Sequence, residues 1–539
     1  MYVNCKTNYS FRYGTFFTQE LVRSAAEFGA KTLALTNINN TCDAWDFVLH
    51  CQKQNIKPIL GAEIRNGDKL LYILIARNSE GFAVINQFLS YHLLLKEDFP
   101  AKPPLGIDVA IIYPLRYFNY TIPSFLLENE FIGIQPTEIN RIFGQALATG
   151  MINKLLIRQP VTFQNKRYFN VHKLLRCVDN NVLSSKLSTE TLCGSNEYFV
   201  PVAELLQTFK DYPFIVTNTL RFMDECNIEM DFATDKNKKI FSATAQDDRI
   251  FLSKLAHDGL ITRYGKKNKT AAQRLETELS IINNLNFNAY FLITWDLIRY
   301  AQSRGYYHVG RGSGANSIVA YCLKITDVDP IGLDLFFERF LNPHRAVPPD
   351  FDIDFSWTDR DDVIDYVFKR YGKDHVALLG MHPTFQYNAI VRELGKVFGL
   401  PKSEIDELTE KRYYNGDSRS ENFKRNDDDN IKRLILHYGK LIENFPDNLS
   451  IHAGGILISE RPLSHYTPVF MPPKGFATTQ IDMYVAEDIG LYKWDVLSQR
   501  GLGHIKECLQ LIRTNKGQDI DIHRLEKFKK DDNIRQHIR

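Results

Sequence analysis

Three aspartates stand at every second position in Asp350-Phe351-Asp352-Ile353-Asp354-Phe355, with bulky apolar residues between them. This alternation has the period of a β-strand, whose successive side chains point to opposite faces. It predicts Asp350, Asp352 and Asp354 along one face and Phe351, Ile353 and Phe355 in a core. Aligned carboxylates repel, and ionising all of them is costly unless a cation lies among them. The natural tenant is Mg²⁺, a hard ion that binds carboxylates while holding a substrate phosphate. A calcium loop shares the Asp-x-Asp-x-Asp opening but then needs a flexible glycine, and Phe355 follows instead. A solvated acidic strand face is the other reading, and the neighbours of the run weigh against it.

At 539 residues the chain has room for several domains, each with its own core. Its 44% hydrophobic and 24% charged residues place it among ordinary globular proteins rather than disordered chains. The net charge of +2 carries no nucleic-acid signature, so any basic binding surface must be local. The eight cysteines form no Cys-x-x-Cys pair, which argues against a zinc knuckle or disulfide framework and for a reducing cytoplasm. The first residues lack a charged-then-apolar leader and no apolar run reaches spanning length, so neither export nor membrane insertion is expected.

Residues 31–36, 57–64 and 70–76 read as strands, with helical patterns near 20–28 and 80–94 and a further strand at 213–217. This rhythm predicts an α/β domain with a parallel sheet. Between about 224 and 269 the chain turns polar and helical. Two basic clusters there, 236–239 and 266–269, are equally readable as solvated surface or phosphate contacts. From about 270 the pattern is strongly helical. It closes at Gly305 before the glycine-rich run 308–317, which opens a helix at 318–323. Small residues let backbone amides approach a phosphate, and Arg311 could add a charge-assisted contact. An amphipathic helix is predicted at 361–371, a helix carrying Arg392 beyond it, a charged exposed loop at 418–432, and strands at 452–458 and 491–497. The polar residues 527–539 carry no domain-closing signal, and the chain is expected to stop mid-structure.

The opening resembles the PHP domain, a barrel of β/α units at the amino terminus of bacterial replicative polymerase alpha subunits. Residues 8–11, 33–36 and 56–61 carry the likeness. The family's His-x-His falls here on Asn4 and Lys6, and its Thr-Asp-His on Thr36, Asn37 and Ile38. A lysine is itself a cation and an isoleucine has no lone pair, so no metal is expected at this site, and the domain reads as a structural platform. Proofreading 3′–5′ exonuclease activity is not expected of it.

The whole chain resembles the C-family of bacterial replicative polymerases, the alpha subunits of DNA polymerase III. The likeness is carried by residues 290–293, 310–313, 319–330, 337–343, the acidic run, His452-Ala453-Gly454-Gly455 and 490–495. It implies an α/β multidomain fold: a PHP-type β/α barrel, then a polymerase-beta-like nucleotidyltransferase palm with an inserted helical thumb. The bounds expected are 1–223 for the PHP-like domain, 224–269 for a connector, 270–378 and 451–498 for the palm, 379–450 for the thumb and 499–539 for the start of the fingers.

The same likeness implies that Asp352, Asp354 and Asp495 bind metal and are catalytic, with Asp350 the less certain member. Arg311, Gly312, Ser313 and Lys493 would meet the incoming nucleotide. Arg392 and His452 match positions near substrate, with a surface arginine and a core histidine as the plainer readings. Two Mg²⁺ ions, primer-template DNA and deoxynucleoside triphosphates are implied, with sliding clamp and clamp loader as partners of a full-length protein. Such a pair of ions acidifies a primer 3′-hydroxyl and shields the triphosphate, so no nucleophilic side chain is required. Most of the fingers, the helix-hairpin-helix DNA clamp, the clamp-binding segment and the OB-fold are not in this sequence. A template-independent nucleotidyltransferase, and an idle polymerase fragment or scaffold, are therefore the competing readings.

Overall fold

A computed structural model describes residues 1–142, 144–145, 149–342, 350–414, 427–523, 532–533 and 536, with backbone alone for 411–414 and 427–429. The chain divides into two compact units. The first comprises residues 1–231, 380–450 and 464–485; the second comprises 232–379, 451–463 and 486–539. Among the described residues no helix is long and apolar enough to cross a membrane.

In the first unit eight strands form one sheet: β1 (Tyr2–Cys5), β2 (Thr32–Ile38), β3 (Lys57–Asn66), β4 (Lys69–Ala76), β5 (Val109–Pro114), β6 (Glu130–Ile134), β7 (Leu155–Ile157) and β8 (Pro160–Val161). Their order is β7-β6-β5-β4-β3-β2-β1-β8. The sheet is mixed rather than parallel, since β4 runs antiparallel to both β3 and β5. The cause is local: Asn66 and Gly67, the latter at φ +57°, turn the chain straight back from β3, as an Asn-Gly pair favours.

Strand β4 is buried at all positions but its first, the mark of an inner strand covered on both faces. Val3, Ala34, Ile59, Ile73, Ile75, Ala110, Ile112 and Leu156 build one core from six of the strands, and Phe222, Met223 and Cys226 close it. Those last residues correct the strand predicted at 213–217, which belongs to the helix Pro213–Glu225. A five-residue apolar run has no period of its own. Pro213 suits the first helical position, and Ile215, Asn218, Thr219, Phe222 and Met223 are buried at helical spacing.

A second core in this unit joins the helix Lys166–Asn180 to Tyr387–Phe398, Lys402–Tyr414 and Asp427–Ile442 through Leu174, Val178, Ile390, Leu394, Ile405 and Ile435. Of the loop predicted at 418–432, residues 427–432 are the start of a helix, and 418–426 lie outside the described residues.

His172 is wholly buried on the helix Lys166–Asn180. Its Nδ1 lies 2.7 Å from the carbonyl of Tyr13, and its Nε2 accepts from the Cys193 amide at 3.0 Å. Burial pulls the imidazole from its ordinary 6.5 down to about 4. A folded value below the unfolded one means that the unfolded chain binds more protons between them. This contribution is therefore complete above about pH 6.5 and lost as pH falls towards 4. Unfolding midpoints are expected to decline over that window, and His172→Gln should flatten the slope.

In the second unit the strands are β9 (His308–Arg311), β10 (Asp352–Ser356), β11 (Val376–Met381), β12 (Ser450–Ile458) and β15 (Trp494–Gln499); the short pair β13 (Val469–Phe470) and β14 (Thr478–Thr479) between them belongs to the first unit. The order is β11-β12-β15-β10-β9. The helices Ala245–Tyr264, Lys269–Asn284, Asn288–Ser303, Arg360–Tyr371 and Arg500–Lys516 belong to this unit. Arg360 is buried and donates to the carbonyls of Val496 and Ala453, both at 2.7 Å, stitching its helix to β15 and β12.

The two basic clusters differ in their exposure. Lys236 and Asn237 are buried, with the Lys236 and Asn237 amide groups bonded to the Gly490 carbonyl. In the second cluster Lys266, Lys267 and Lys269 are exposed, while Asn268 caps the helix Lys269–Asn284.

A carboxylate face on paired strands

The alternation in the acidic run folds as its period requires. Phe351, Ile353 and Phe355 are buried, and the Phe351 ring stacks on Tyr290 and meets Phe291 and Phe340 at centroid distances of 5.0 to 5.4 Å. This aromatic floor fixes the strand, so the aspartates must take the opposite face. Strand β15 lies parallel beside β10 with Asp495 directly opposite Asp352. Side chains at paired positions of neighbouring strands share a face. Three carboxylates from two strands are thus gathered, and Asp350 joins them from just before β10.

Two cations hold this cluster. Arg311, at the end of β9, donates from Nε to Asp354 Oδ2 at 2.9 Å and from Nη1 to Asp352 Oδ2 at 3.2 Å. Lys493, the residue before β15, reaches Asp350 Oδ2 and Asp495 Oδ2, each at 2.9 Å. Burial raises the Asp352 carboxyl above its ordinary value; Arg311 opposes this and the charges of Asp495 and Asp350 add to it. Burial works against the Lys493 ammonium, yet its bonds to Asp495 and Asp350 leave it above its ordinary value.

The donor set fits a hard cation. Among the described residues, Asp354 Oδ1 and Asp495 Oδ1 are buried without a hydrogen-bond partner, which is expensive for a carboxylate oxygen unless something positive meets it. Among those residues no group of three or more His, Cys, Asp or Glu side chains is already drawn together as a metal cage. Arg311 and Lys493 instead take one oxygen of each of the four aspartates, so a metal ion would have to compete with them.

The glycine-rich run follows β9 as a tight turn, Gly312–Asn316, leading into the short helix Ile318–Cys322. Gly312 has φ +70°, and a Cβ there would stand 2.7 Å from Asp352 Oδ2. Glycine at this position brings the backbone of the turn against the carboxylate. Gly312→Ala is expected to cost about 1–3 kcal/mol through left-handed strain and that contact, read as a fall in unfolding free energy. Ser313 is partly exposed, and its carbonyl accepts from Asn316 Nδ2 at 2.8 Å.

His452, on β12, is half-buried. Its Nδ1 accepts from the amides of Gly454 and Gly455 at 3.3 and 2.9 Å. Burial lowers its imidazole, while the charges of Asp495, Lys493 and Asp350 act on it. Arg392 stands exposed on the helix Tyr387–Phe398 in the first unit. Two residues outside the expected set, Arg274 and Glu278 of the helix Lys269–Asn284, contact the turn from behind. Their four-residue spacing is visible in the sequence, but only the fold shows what they reach.

In the first unit, the positions read as lost PHP ligands form a buried polar network. Lys6 Nζ lies 2.8 Å from Glu63 Oε2, and Asn4 Nδ2 donates to the same oxygen at 2.7 Å. Arg65 takes Glu63 Oε1, and Glu197 lies 3.9 Å from Lys6. Asn37 accepts from the Thr7 amide and Ser10 hydroxyl, both at 2.8 Å, and donates to Asp43 at 2.6 Å. Ile38 packs against Tyr13, Phe163 and Cys193.

Comparison with known proteins finds a family match in each part of the chain. Residues 3–118 match the PHP domain, and residues 250–498 match the bacterial DNA polymerase III alpha NTPase domain. The chain is 30% identical to an error-prone DNA polymerase of Symbiobacterium thermophilum over 95% of its own length and 52% of that protein's. It is 30% identical to the DNA polymerase III subunit alpha of Halalkalibacterium halodurans, covering 93% of this chain and 48% of the relative, and 28% identical to that of Bacillus subtilis, covering 97% and 50%. The chain spans about half the length of these relatives.

Proposed function

We propose that the chain, whose residues 3–118 match the PHP domain and 250–498 the bacterial DNA polymerase III alpha NTPase domain, belongs with that family and is the catalytic-core portion of a DNA-directed DNA polymerase, adding nucleotides to a primer 3′-hydroxyl. The observation that carries this reading is the carboxylate face itself: Asp352 opposite Asp495 on paired strands, Asp354 beside them, and the Gly312 turn against Asp352. The second unit is then the nucleotidyltransferase palm. The helices Tyr387–Phe398, Lys402–Tyr414 and Asp427–Ile442 are the thumb inserted in it, and the eight-stranded sheet is the barrel of the PHP-type domain. All eight cysteines are free, in keeping with work in a reducing cytoplasm.

Asp352, Asp354 and Asp495 would hold Mg²⁺, with Asp350 at the margin. When bound, a pair of such ions acidifies the primer hydroxyl and neutralises the triphosphate. The turn at Gly312 and Ser313 presents backbone, without a side chain at Gly312, to the triphosphate. Arg311 and Lys493 neutralise the carboxylates in the absence of a ligand and would pass to phosphate oxygens on loading, exchanging one anionic partner for another. His452 keeps the start of β12 in place beside Asp495. The first unit would serve as a platform, with Lys6 supplying a fixed positive charge to Glu63. Primer-template DNA and deoxynucleoside triphosphates are the proposed substrates, and clamp and clamp loader the partners of a longer protein.

The test is extension of a labelled primer on a template with Mg²⁺ and deoxynucleoside triphosphates, before and after chelation. Extension that chelation stops is the expected result. A folded protein that adds nothing would leave the carboxylate face catalytically idle and overturn the proposal.

A further inference from the structure

Glu278 is a fully buried carboxylate, 0% exposed, on the helix Lys269–Asn284. The same helix buries Ala271, Leu275 and Ile282, so a charge on that face is costly unless its bonds repay the lost water. Its bonds lead to one place. Glu278 Oε2 accepts from the Ser317 hydroxyl at 2.8 Å and the Val319 amide at 3.3 Å, at the point where the glycine-rich turn enters its short helix. Glu278 Oε1 accepts from Arg274 Nε at 2.7 Å. Arg274 Nη2 in turn donates to the carbonyl of Asn316 at 3.2 Å and of Leu335 at 3.1 Å. Asn316 then holds the Ser313 carbonyl. A continuous set of polar contacts therefore runs from Glu278 through the turn to Ser313, the residue after Gly312, where an added Cβ would stand 2.7 Å from Asp352 Oδ2.

We infer that Glu278, with Arg274, is a positioning residue for the incoming nucleotide: it fixes the Gly312–Asn316 turn at the distance from Asp352 that triphosphate binding requires. This rests on the proposed reading of that turn as the triphosphate seat. Glu278 touches no reacting atom and acts through the turn. An amide in its place keeps the volume and one acceptor but sets an N–H₂ against donors, so either Arg274 or the Ser317 and Val319 pair loses its acceptor and the bridge between them is broken. The helix can remain folded while the turn gains freedom. Burial raises the Glu278 carboxyl to about 7 against the opposing bonds of Arg274 and Ser317, so the ionised form that accepts from all of these donors prevails above that pH.

The experiment is calorimetric binding of a deoxynucleoside triphosphate with Mg²⁺ to the whole chain, for wild type, Glu278→Gln and Ser317→Ala. Loss of one or two bonds to a charged acceptor is expected to weaken binding about tenfold in each variant. Where extension is measured, the nucleotide KM should rise while kcat at saturation changes little, and Glu278→Asp should recover part of the affinity. Wild-type affinity in folded Glu278→Gln would overturn the inference and leave Glu278 a structural residue. Should that variant fail to fold, Ser317→Ala decides the question by the same measure. A wild-type chain that does not bind the nucleotide would overturn the reading of the turn, and the inference with it.

Discussion

Replacing Asp354 with asparagine is expected to abolish nucleotide addition while leaving the fold standing. The substitution keeps the side-chain volume and an oxygen that can accept from Arg311, 2.9 Å away. It removes a negative charge that is only 4% exposed and so little screened by water. A carboxylate that holds a catalytic cation supports several kcal/mol of transition-state stabilisation. At about 1.4 kcal/mol per factor of ten, the loss is on the order of a thousandfold or more. Asp352→Asn should behave alike, since Asp352 faces Asp495 across the strand pair. Single-turnover extension rates beside melting curves check both variants, and full activity in either would place the cation elsewhere.

Lys6→Met is expected to have the largest effect on stability. Lys6 is 1% exposed and its ammonium is shared by Glu63 and Glu197. Removing one partner of a buried pair leaves an uncompensated charge, at a cost of about 3–5 kcal/mol. Arg65 still holds one oxygen of Glu63, so the lower part of that range is the expectation, read from the denaturant midpoint. The same network sets an acid limit. Burial pushes the Glu63 carboxyl up, but Arg65, Lys6 and Asn4 outweigh it and leave it far below its ordinary 4.5. With the folded value depressed, the stabilisation is whole above about pH 4.5 and lost as pH falls further. Lys6→Met should therefore unfold at a higher pH than wild type in an acid titration. Equal acid midpoints would show that Lys6 contributes nothing to holding Glu63 ionised.

What could be read from the chain alone follows the range of each signal. The acidic run declares its strand because period two is written into consecutive residues, and β10 buries the residues expected. The helix predicted at 361–371 appears as Arg360–Tyr371 for the same kind of reason. Residues 213–217 show the limit: so short a run cannot tell strand from helix, and the burial of Ile215, Asn218, Thr219, Phe222 and Met223 at helical spacing decides it. The direction of β4 was legible in principle from Asn66-Gly67. Asp495 has no second carboxylate beside it, so residue pattern could not select it; family likeness pointed to it, and the register set it opposite Asp352. Glu278 was beyond reach, because its partners lie some forty residues away, at Ser317 and Val319.

The most direct test of the account is which nucleotide the chain adds to a primer when templates differ only in the first unpaired base, with Mg²⁺ present. The account predicts addition of the complementary nucleotide on each template, lost in Asp354→Asn. Addition that ignores the template base, or that survives in Asp354→Asn, would contradict it.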